Sequence, residues 1–190
     1  MTATIAPPQK FTYEELRAMD DDTLRELHDG EIFEMPSPSL NHQKIIARIA
    51  EFLLRWKIAN GGEYFLSPVD LHVSSDEYFI PDLCFYGAHK MASGQVERDP
   101  NRLTVAPDLI VEVISPSTAR NDRVRKLRAY ADFGVPFYWI VDPIERSFTA
   151  YELENGAYKI EAALEDGETL APRLLPQFSL DVSEVLGPQN

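Results

Sequence analysis

The sequence is poor in cysteine and has no long apolar run. Only one cysteine, Cys84, occurs in 190 residues. This excludes an internal disulfide and a cysteine-ligated zinc site, and it suits a reducing compartment. No apolar stretch has the roughly 20 residues that a membrane-spanning helix needs. Residues 1–11 lack the apolar core of a secretory signal. We therefore expect a cytoplasmic protein.

Basic residues are also scarce, since 18 lysines and arginines stand against 31 aspartates and glutamates, for a net charge of −13. This balance argues against avid, sequence-independent binding of nucleic acid, which depends on neutralising phosphates. One dense basic cluster remains, and it could be either a solvated helix face or a local contact with nucleic acid. Its members are Arg120, Arg123, Arg125, Lys126 and Arg128.

Two familiar catalytic motifs are missing as well. The sequence contains no glycine-rich phosphate loop and no G-x-S-x-G nucleophile elbow. Cys84 lies in an apolar run without an evident base partner, so we expect an inert thiol.

Acidic residues do occur inside two runs that otherwise look like buried strands. Residues 107–114 carry Asp108 and Glu112, and residues 78–86 carry Asp82. Strand side chains alternate between faces, so Asp108 and Glu112 point the same way. A buried carboxylate must be paired, protonated or bound to a cation. Two such strands side by side would form a carboxylate pair suited to a hard cation. The alternatives are a structural ion pair for Glu112 and a turn role for Asp82.

The order of the predicted elements indicates an α/β fold. A strand, a helix and a strand across 107–142 predict a parallel crossover, whereas the earlier strands are joined too tightly and should be antiparallel. We therefore expect a mixed β-sheet flanked by helices, with an extra β-hairpin at 146–153 and 157–164. Residues 1–10 are predicted to be disordered, and 11–188 to form a single domain. The predicted helices are 12–18, 20–27, 43–59 and 120–133; the other predicted strands are 31–35, 63–73 and 135–142; residues 88–104 are predicted to be a polar loop.

Several phrases resemble the PD-(D/E)XK nuclease superfamily. The first is Pro81-Asp82 followed by Glu112-Val-Ile114. Three longer phrases are similar to its branch described as putative restriction endonucleases: Pro107-Asp-Leu-Ile-Val-Glu-Val-Ile-Ser-Pro-Ser117, Lys126-Leu-Arg-Ala-Tyr130 and Gly134-Val-Pro-Phe-Tyr-Trp-Ile-Val-Asp142. The resemblance covers about residues 12–185 and implies a restriction-endonuclease-like fold.

The resemblance also implies metal-assisted hydrolysis of phosphodiester bonds. Asp82 and Glu112, with the main-chain carbonyl of Val113, would hold Mg²⁺ or Mn²⁺. The family's lysine is expected two residues after the glutamate, where this sequence has Ile114. Lys126 on the following helix is the strongest substitute, although Asp122, four residues earlier, could instead hold it in a surface ion pair.

Five further residues are candidate accessory members of the site, each with a structural alternative. They are Glu31, His42, Gln43, Asp108 and Tyr130. Together these observations predict a Mg²⁺-dependent endonuclease acting on nucleic acid, preferentially DNA, as a homodimer. The alternative is a catalytically inactive binding or scaffold protein that keeps the nuclease fold. The charge of −13 and the missing strand lysine favour this alternative.

Overall fold

A computed structural model describes residues 9–19, 21–115 and 121–188, with side chains resuming at Val124 after the second gap. Residues 1–8 of the predicted disordered segment, Arg120, and the side chains of Asp122 and Arg123 lie outside the described part. The helices are α1 Tyr13–Arg17, α2 Leu40–Asn60, α3 Ala88–Ala92, α4 Leu127–Phe133 and α5 Val182–Leu186. The strands are β1 Arg25–His28, β2 Glu31–Glu34, β3 Glu63–Leu66, β4 Leu71–His72, β5 Tyr78–Phe79, β6 Leu83–Tyr86, β7 Leu109–Val113, β8 Phe137–Asp142, β9 Ser147–Glu154, β10 Ala157–Glu165, β11 Thr169–Leu170 and β12 Leu180–Asp181.

A six-stranded mixed sheet forms the centre of the fold, in the order β10-β9-β8-β7-β6-β3. β7 and β8 are parallel, as the predicted crossover requires. The remaining neighbours in this sheet are antiparallel, including the predicted hairpin β9–β10. The predicted fold class is confirmed.

Side chains of β7 alternate between two cores, as the sequence pattern predicted. Leu109, Val111 and Val113 pack on the α2 side of the sheet. Ile110 and Ile114 pack on the opposite side, against Tyr130 of α4. Glu112 shares this second side and is directed toward α4, so an acidic side chain enters the interior next to an apolar core.

The predicted helix at 20–27 is wrong: residues 21–24 form no helix, and Arg25–His28 form strand β1. β1 pairs with β2 through the turn Asp29-Gly30, whose φ angles of 48° and 75° suit a two-residue hairpin. Leu27 is fully buried and pairs with Ile32 and Tyr78, so tertiary burial outweighs the helical propensity of the segment.

The predicted strands 63–73 and 78–86 are each divided between two sheets. β3 and β6 belong to the central sheet, while β4 and β5 join a second antiparallel sheet in the order β2-β1-β5-β4. The first division falls at Pro68, and the second falls at Pro81, because proline cannot donate a ladder hydrogen bond. The second break places Asp82 at the junction of the sheets.

Three helical segments also differ from prediction. α2 begins at Leu40, three residues before the predicted start, because the Ser39 side chain accepts a hydrogen bond from His42 N and caps the helix. The predicted helix 120–133 consists of a π-helical turn over 121–126 followed by α4. The predicted loop 88–104 contains the short helix α3.

Candidate active site

A cavity of about 380 Å³ opens where the two sheets meet the first turn of α2. Asp82 comes from the break before β6, Glu112 from β7, and Lys126 from the π-helical turn before α4. All three predicted catalytic residues line this cavity, together with Val113 and His42. The fold therefore brings together Asp82, Glu112 and Lys126, which are separated by up to 44 positions in the sequence.

Asp82 is held by one side chain and one main-chain group. Its Oδ2 accepts a hydrogen bond from Val113 N at 2.8 Å and lies 3.0 Å from His42 Nε2. Since the N–H and C=O of a strand residue face the same neighbour, the Val113 carbonyl also faces the side that carries Asp82. The Asp82 side chain remains 15% exposed, so it contacts both the protein and the cavity.

Glu112 lies deeper and is 3% exposed. Its Oε1 accepts hydrogen bonds from Lys126 Nζ and from Tyr130 Oη, both at 2.9 Å. Lys126 and Tyr130 are four residues apart on the same helical face, so they reach the same carboxylate oxygen. The predicted lysine therefore arrives at the predicted glutamate from a helix rather than from the strand.

Lys126 itself is only 1% exposed and lies between two buried carboxylates. Its Nζ is 2.9 Å from Glu112 Oε1 and 2.8 Å from Glu26 Oε1. A compact ammonium with three donors can hydrogen-bond to both oxygens at once. Lys126 is therefore not a surface lysine, which was one of the two interpretations of the sequence. It is a buried charge shared by Glu112 and Glu26.

Glu26 is the functional candidate that the sequence analysis missed. This residue is fully buried on β1; its Oε1 accepts a hydrogen bond from Ile80 N at 3.0 Å, and its Oε2 lies 3.0 Å from His28 Nε2. Burial alone would raise the pKa of Glu26, but the Lys126 charge and the His28 hydrogen bond outweigh it, so the pKa is lowered. Glu26 is therefore an ionised carboxylate inside the protein.

Two of the five accessory candidates belong to the cavity region and three do not. His42 contacts Asp82, and Tyr130 contacts Glu112. Glu31 is about half exposed and pairs with Arg125 at 3.4 Å. The remaining two also lie elsewhere: Asp108 accepts from Gly87 N and pairs with Lys90, and Gln43 is exposed on α2.

Two carboxylates that line the cavity, those of Asp82 and Glu112, could serve as ligands of a hard divalent cation. The Lys126 ammonium offsets part of the negative charge of Glu112, to which it is hydrogen-bonded. Over the described residues, no group of three or more His, Cys, Asp or Glu side chains is arranged to hold a metal. A cation here would depend on two carboxylates and a carbonyl, a donor set suited to Mg²⁺, which keeps several waters.

Tyr130 offers a test of how the glutamate is held. Burial and the neighbouring Glu112 raise the pKa of Tyr130 well above its usual value, so the hydroxyl stays a donor. Tyr130→Phe removes this donor and should lower the free energy of unfolding by about 1 kcal/mol, measured with urea in chelator.

Tyr158→Phe is the matched control, because the Tyr158 hydroxyl donates to the main-chain carbonyl of Val135 away from the cavity. Both variants should lose similar stability, but only Tyr130→Phe should alter Mn²⁺ affinity. An unaltered Mn²⁺ affinity in Tyr130→Phe would show that the hydroxyl does not influence Glu112 as a ligand.

Cys84 is fully buried on β6, on the sheet face that carries Glu112. Burial, followed by the charge of Glu112, raises the pKa of the thiol well above its usual value. The thiol is therefore kept protonated, in agreement with the expectation of an inert cysteine.

The fold and the cavity define a restriction-endonuclease-like α/β protein, and comparison with known proteins agrees. The sequence model of the Uma2 family, described as "Putative restriction endonuclease", matches residues 12–183. The chain belongs to this family.

A relative and a solved structure are similar to the chain over most of its length. The uncharacterized protein slr1290 of Synechocystis sp. is 31% identical, in an alignment that spans 66% of this chain and 65% of the relative. The crystal structure of "a putative nuclease belonging to DUF820" from Anabaena variabilis ATCC 29413 superposes with a TM-score of 0.73 at 16% identity, covering 93% of this chain and 97% of that chain. The structural likeness shows a shared fold. No helix within the described ranges is long and apolar enough to cross a membrane.

Proposed function

We propose that the chain is a Mg²⁺-dependent endonuclease that hydrolyses phosphodiester bonds of nucleic acid, with DNA as the preferred substrate. The observation that carries this proposal is the meeting of Asp82, Glu112 and Lys126 at one cavity, with the Lys126 ammonium hydrogen-bonded to Glu112. Membership of the Uma2 family supports the same reaction class.

Asp82, Glu112 and the Val113 carbonyl would hold the metal ion. When bound, Mg²⁺ or Mn²⁺ would polarise the phosphoryl oxygen and lower the pKa of a coordinated water. His42 would fix the orientation of Asp82 through its 3.0 Å contact with Oδ2. Such support of a ligating carboxylate commonly tunes a metal site.

Lys126 would stabilise the negative charge that develops on the reacting phosphate. Its ammonium is desolvated, and a preorganised charge in a water-poor site stabilises a transition state more than an exposed one does. Tyr130 would also hold Glu112 through its hydrogen bond to Oε1, so that the glutamate keeps its place as the lysine interacts with substrate.

The alternative function is a non-catalytic binding or scaffold protein of the same fold. Two observations favour it: the net charge of −13, and the lysine that is 1% exposed between two carboxylates. A lysine locked in a structural ion pair would support the fold without contacting a substrate. Catalysis and scaffolding therefore differ in whether Lys126 affects turnover.

A cleavage assay tests the proposed function. Supercoiled DNA, linear duplex DNA, single-stranded DNA and RNA are incubated with the wild-type chain in Mg²⁺, in Mn²⁺ or in chelator. We expect metal-dependent cleavage of DNA that Asp82→Asn abolishes. Asp70→Asn is the control, because the Asp70 carboxylate accepts from Tyr78 Oη and lies outside the cavity. Absence of cleavage of every substrate in both metals would instead favour the binding protein.

We also propose a homodimer, because two sites that each cut one strand could then address both strands of a duplex. The outer strands β3 and β10 are the edges of the central sheet, and β10 carries Ile160, a large apolar residue that is 62% exposed. Sedimentation equilibrium would give twice the 21.6 kDa chain mass. A single species at the chain mass would exclude the dimer.

A further inference from the structure

We propose that Glu26 is a positioning residue for Lys126: it holds the ammonium at Glu112 and keeps Glu112 available to a metal ion. This inference rests on the proposed function but concerns a residue outside the two signature acids. The observation behind it is that Lys126 Nζ lies almost equally close to both carboxylates, 2.8 Å from Glu26 and 2.9 Å from Glu112.

Glu26 is anchored independently of Lys126. Its Oε1 accepts from Ile80 N, and its Oε2 is 3.0 Å from His28 Nε2, so both oxygens have partners other than Lys126. Glu26 and His28 share one face of β1, since they are two residues apart on a strand. The Glu26 carboxylate therefore has a fixed position and can hold the flexible four-carbon side chain of Lys126 in place.

The same carboxylate connects the lysine to the aspartate. Ile80 lies two residues before Asp82, in the segment that passes between the two sheets. A hydrogen bond from Ile80 N to Glu26 thus fixes the main chain leading to Asp82 while the other contact fixes Lys126. Glu26 therefore couples two of the three cavity residues without lining the cavity itself.

Because Lys126 is shared between two carboxylates, Glu26 can affect metal binding at Glu112. An ammonium paired only with Glu112 would neutralise that carboxylate and compete with a cation for it. With Glu26 as a second partner, part of the lysine's attraction is directed away from Glu112. Loss of the Glu26 charge should therefore draw Lys126 toward Glu112 and weaken metal binding.

A double-mutant cycle tests this role. The four chains are wild type, Glu26→Gln, Lys126→Met and the double variant, with Asp70→Asn as the control for loss of a carboxylate that contacts the same sheet through Tyr78. Glutamine keeps an acceptor for Ile80 N while removing the charge. Three quantities are measured: kcat and KM for DNA cleavage, Kd for Mn²⁺ by calorimetry, and urea stability in chelator.

If Glu26 acts through Lys126, Glu26→Gln should lower kcat roughly 10–100-fold with little change in KM, and raise the Mn²⁺ Kd about tenfold. Adding Glu26→Gln to Lys126→Met should change kcat and Kd less than about threefold. Asp70→Asn should leave both constants at wild-type values.

The positioning role would be overturned if Glu26→Gln changed kcat and Kd equally in the wild-type chain and in Lys126→Met. It would also be overturned if Glu26→Gln lowered stability but left kcat and Kd unchanged. If wild type binds Mn²⁺ but cleaves no nucleic acid, the proposed function fails, and the Kd cycle alone decides the role of Glu26. A wild-type chain that binds no Mn²⁺ would contradict both proposals.

Discussion

Lys126→Met should lower the free energy of unfolding by about 3–5 kcal/mol in chelator, the cost expected when one partner of a buried ion pair is removed. The reason is that Glu26 and Glu112 would both lose the ammonium that contacts them. Both carboxylates are at most 3% exposed, so water cannot screen their repulsion. Urea denaturation of the metal-free chain measures the loss.

Two comparisons isolate the cause of this loss. Arg128→Met removes a charge two residues away, on α4, but the Arg128 side chain is 87% exposed, so the free energy of unfolding should change by less than about 0.5 kcal/mol. The Glu26→Gln/Lys126→Met variant should recover part of the loss, because one of the two carboxylates that lost the ammonium is then neutral. A loss below about 1 kcal/mol in Lys126→Met would show that the lysine does not balance two ionised carboxylates.

The second large effect concerns turnover. Lys126→Met should reduce kcat for DNA cleavage by about 10²–10³-fold, the range found when a preorganised transition-state contact is removed. Metal binding should survive, since Asp82, Glu112 and the Val113 carbonyl are unchanged. Rates are compared per folded molecule, at a temperature where the variant is native.

Arg128→Met again serves as the control and should cleave at the wild-type rate. The metal titration of Lys126→Met distinguishes a lost charge from a lost metal. If Lys126→Met cleaves as fast as wild type, the lysine is a structural ion-pair partner, and the positive charge in the reaction comes from elsewhere.

Much of the fold could be predicted because burial leaves a periodic pattern. The alternation of Leu109, Val111 and Val113 with Ile110 and Glu112 correctly predicted a strand with two buried faces. The isolated position of Glu112 in that strand predicted a partner for its charge, since a lone buried carboxylate is costly. Lys126 fulfils that requirement.

Glu26 was missed because residues 20–27 were predicted to form a helix. The segment is rich in residues that tolerate helices, and a four-residue strand is too short to show a clear alternation. A signal was available nonetheless. Asp29-Gly30 directly precedes the predicted strand 31–35 and is a typical two-residue hairpin turn, which requires a second strand immediately before it. That requirement places Glu26 on a strand.

The ion pairs of the two accessory acids, Glu31 and Asp108, could not be predicted from the sequence. Glu31 follows the same turn, and Asp108 immediately precedes β7, yet Glu31 pairs with Arg125 and Asp108 pairs with Lys90. Their partners are 94 and 18 residues away in sequence, so nothing local identifies these ion pairs. Whether an acid faces a cavity or a nearby cation depends on tertiary contacts that spacing does not encode.

Titration calorimetry with Mn²⁺ tests the central claim, a metal centre built on Asp82 and Glu112, most directly. The wild-type chain should bind Mn²⁺ at the cavity, and Asp82→Ala and Glu112→Ala should each abolish that binding, while Asp70→Asn should bind as wild type does. Parallel unfolding curves in chelator would confirm that each variant is folded at the titration temperature. Unchanged Mn²⁺ binding in both alanine variants would contradict the metal centre.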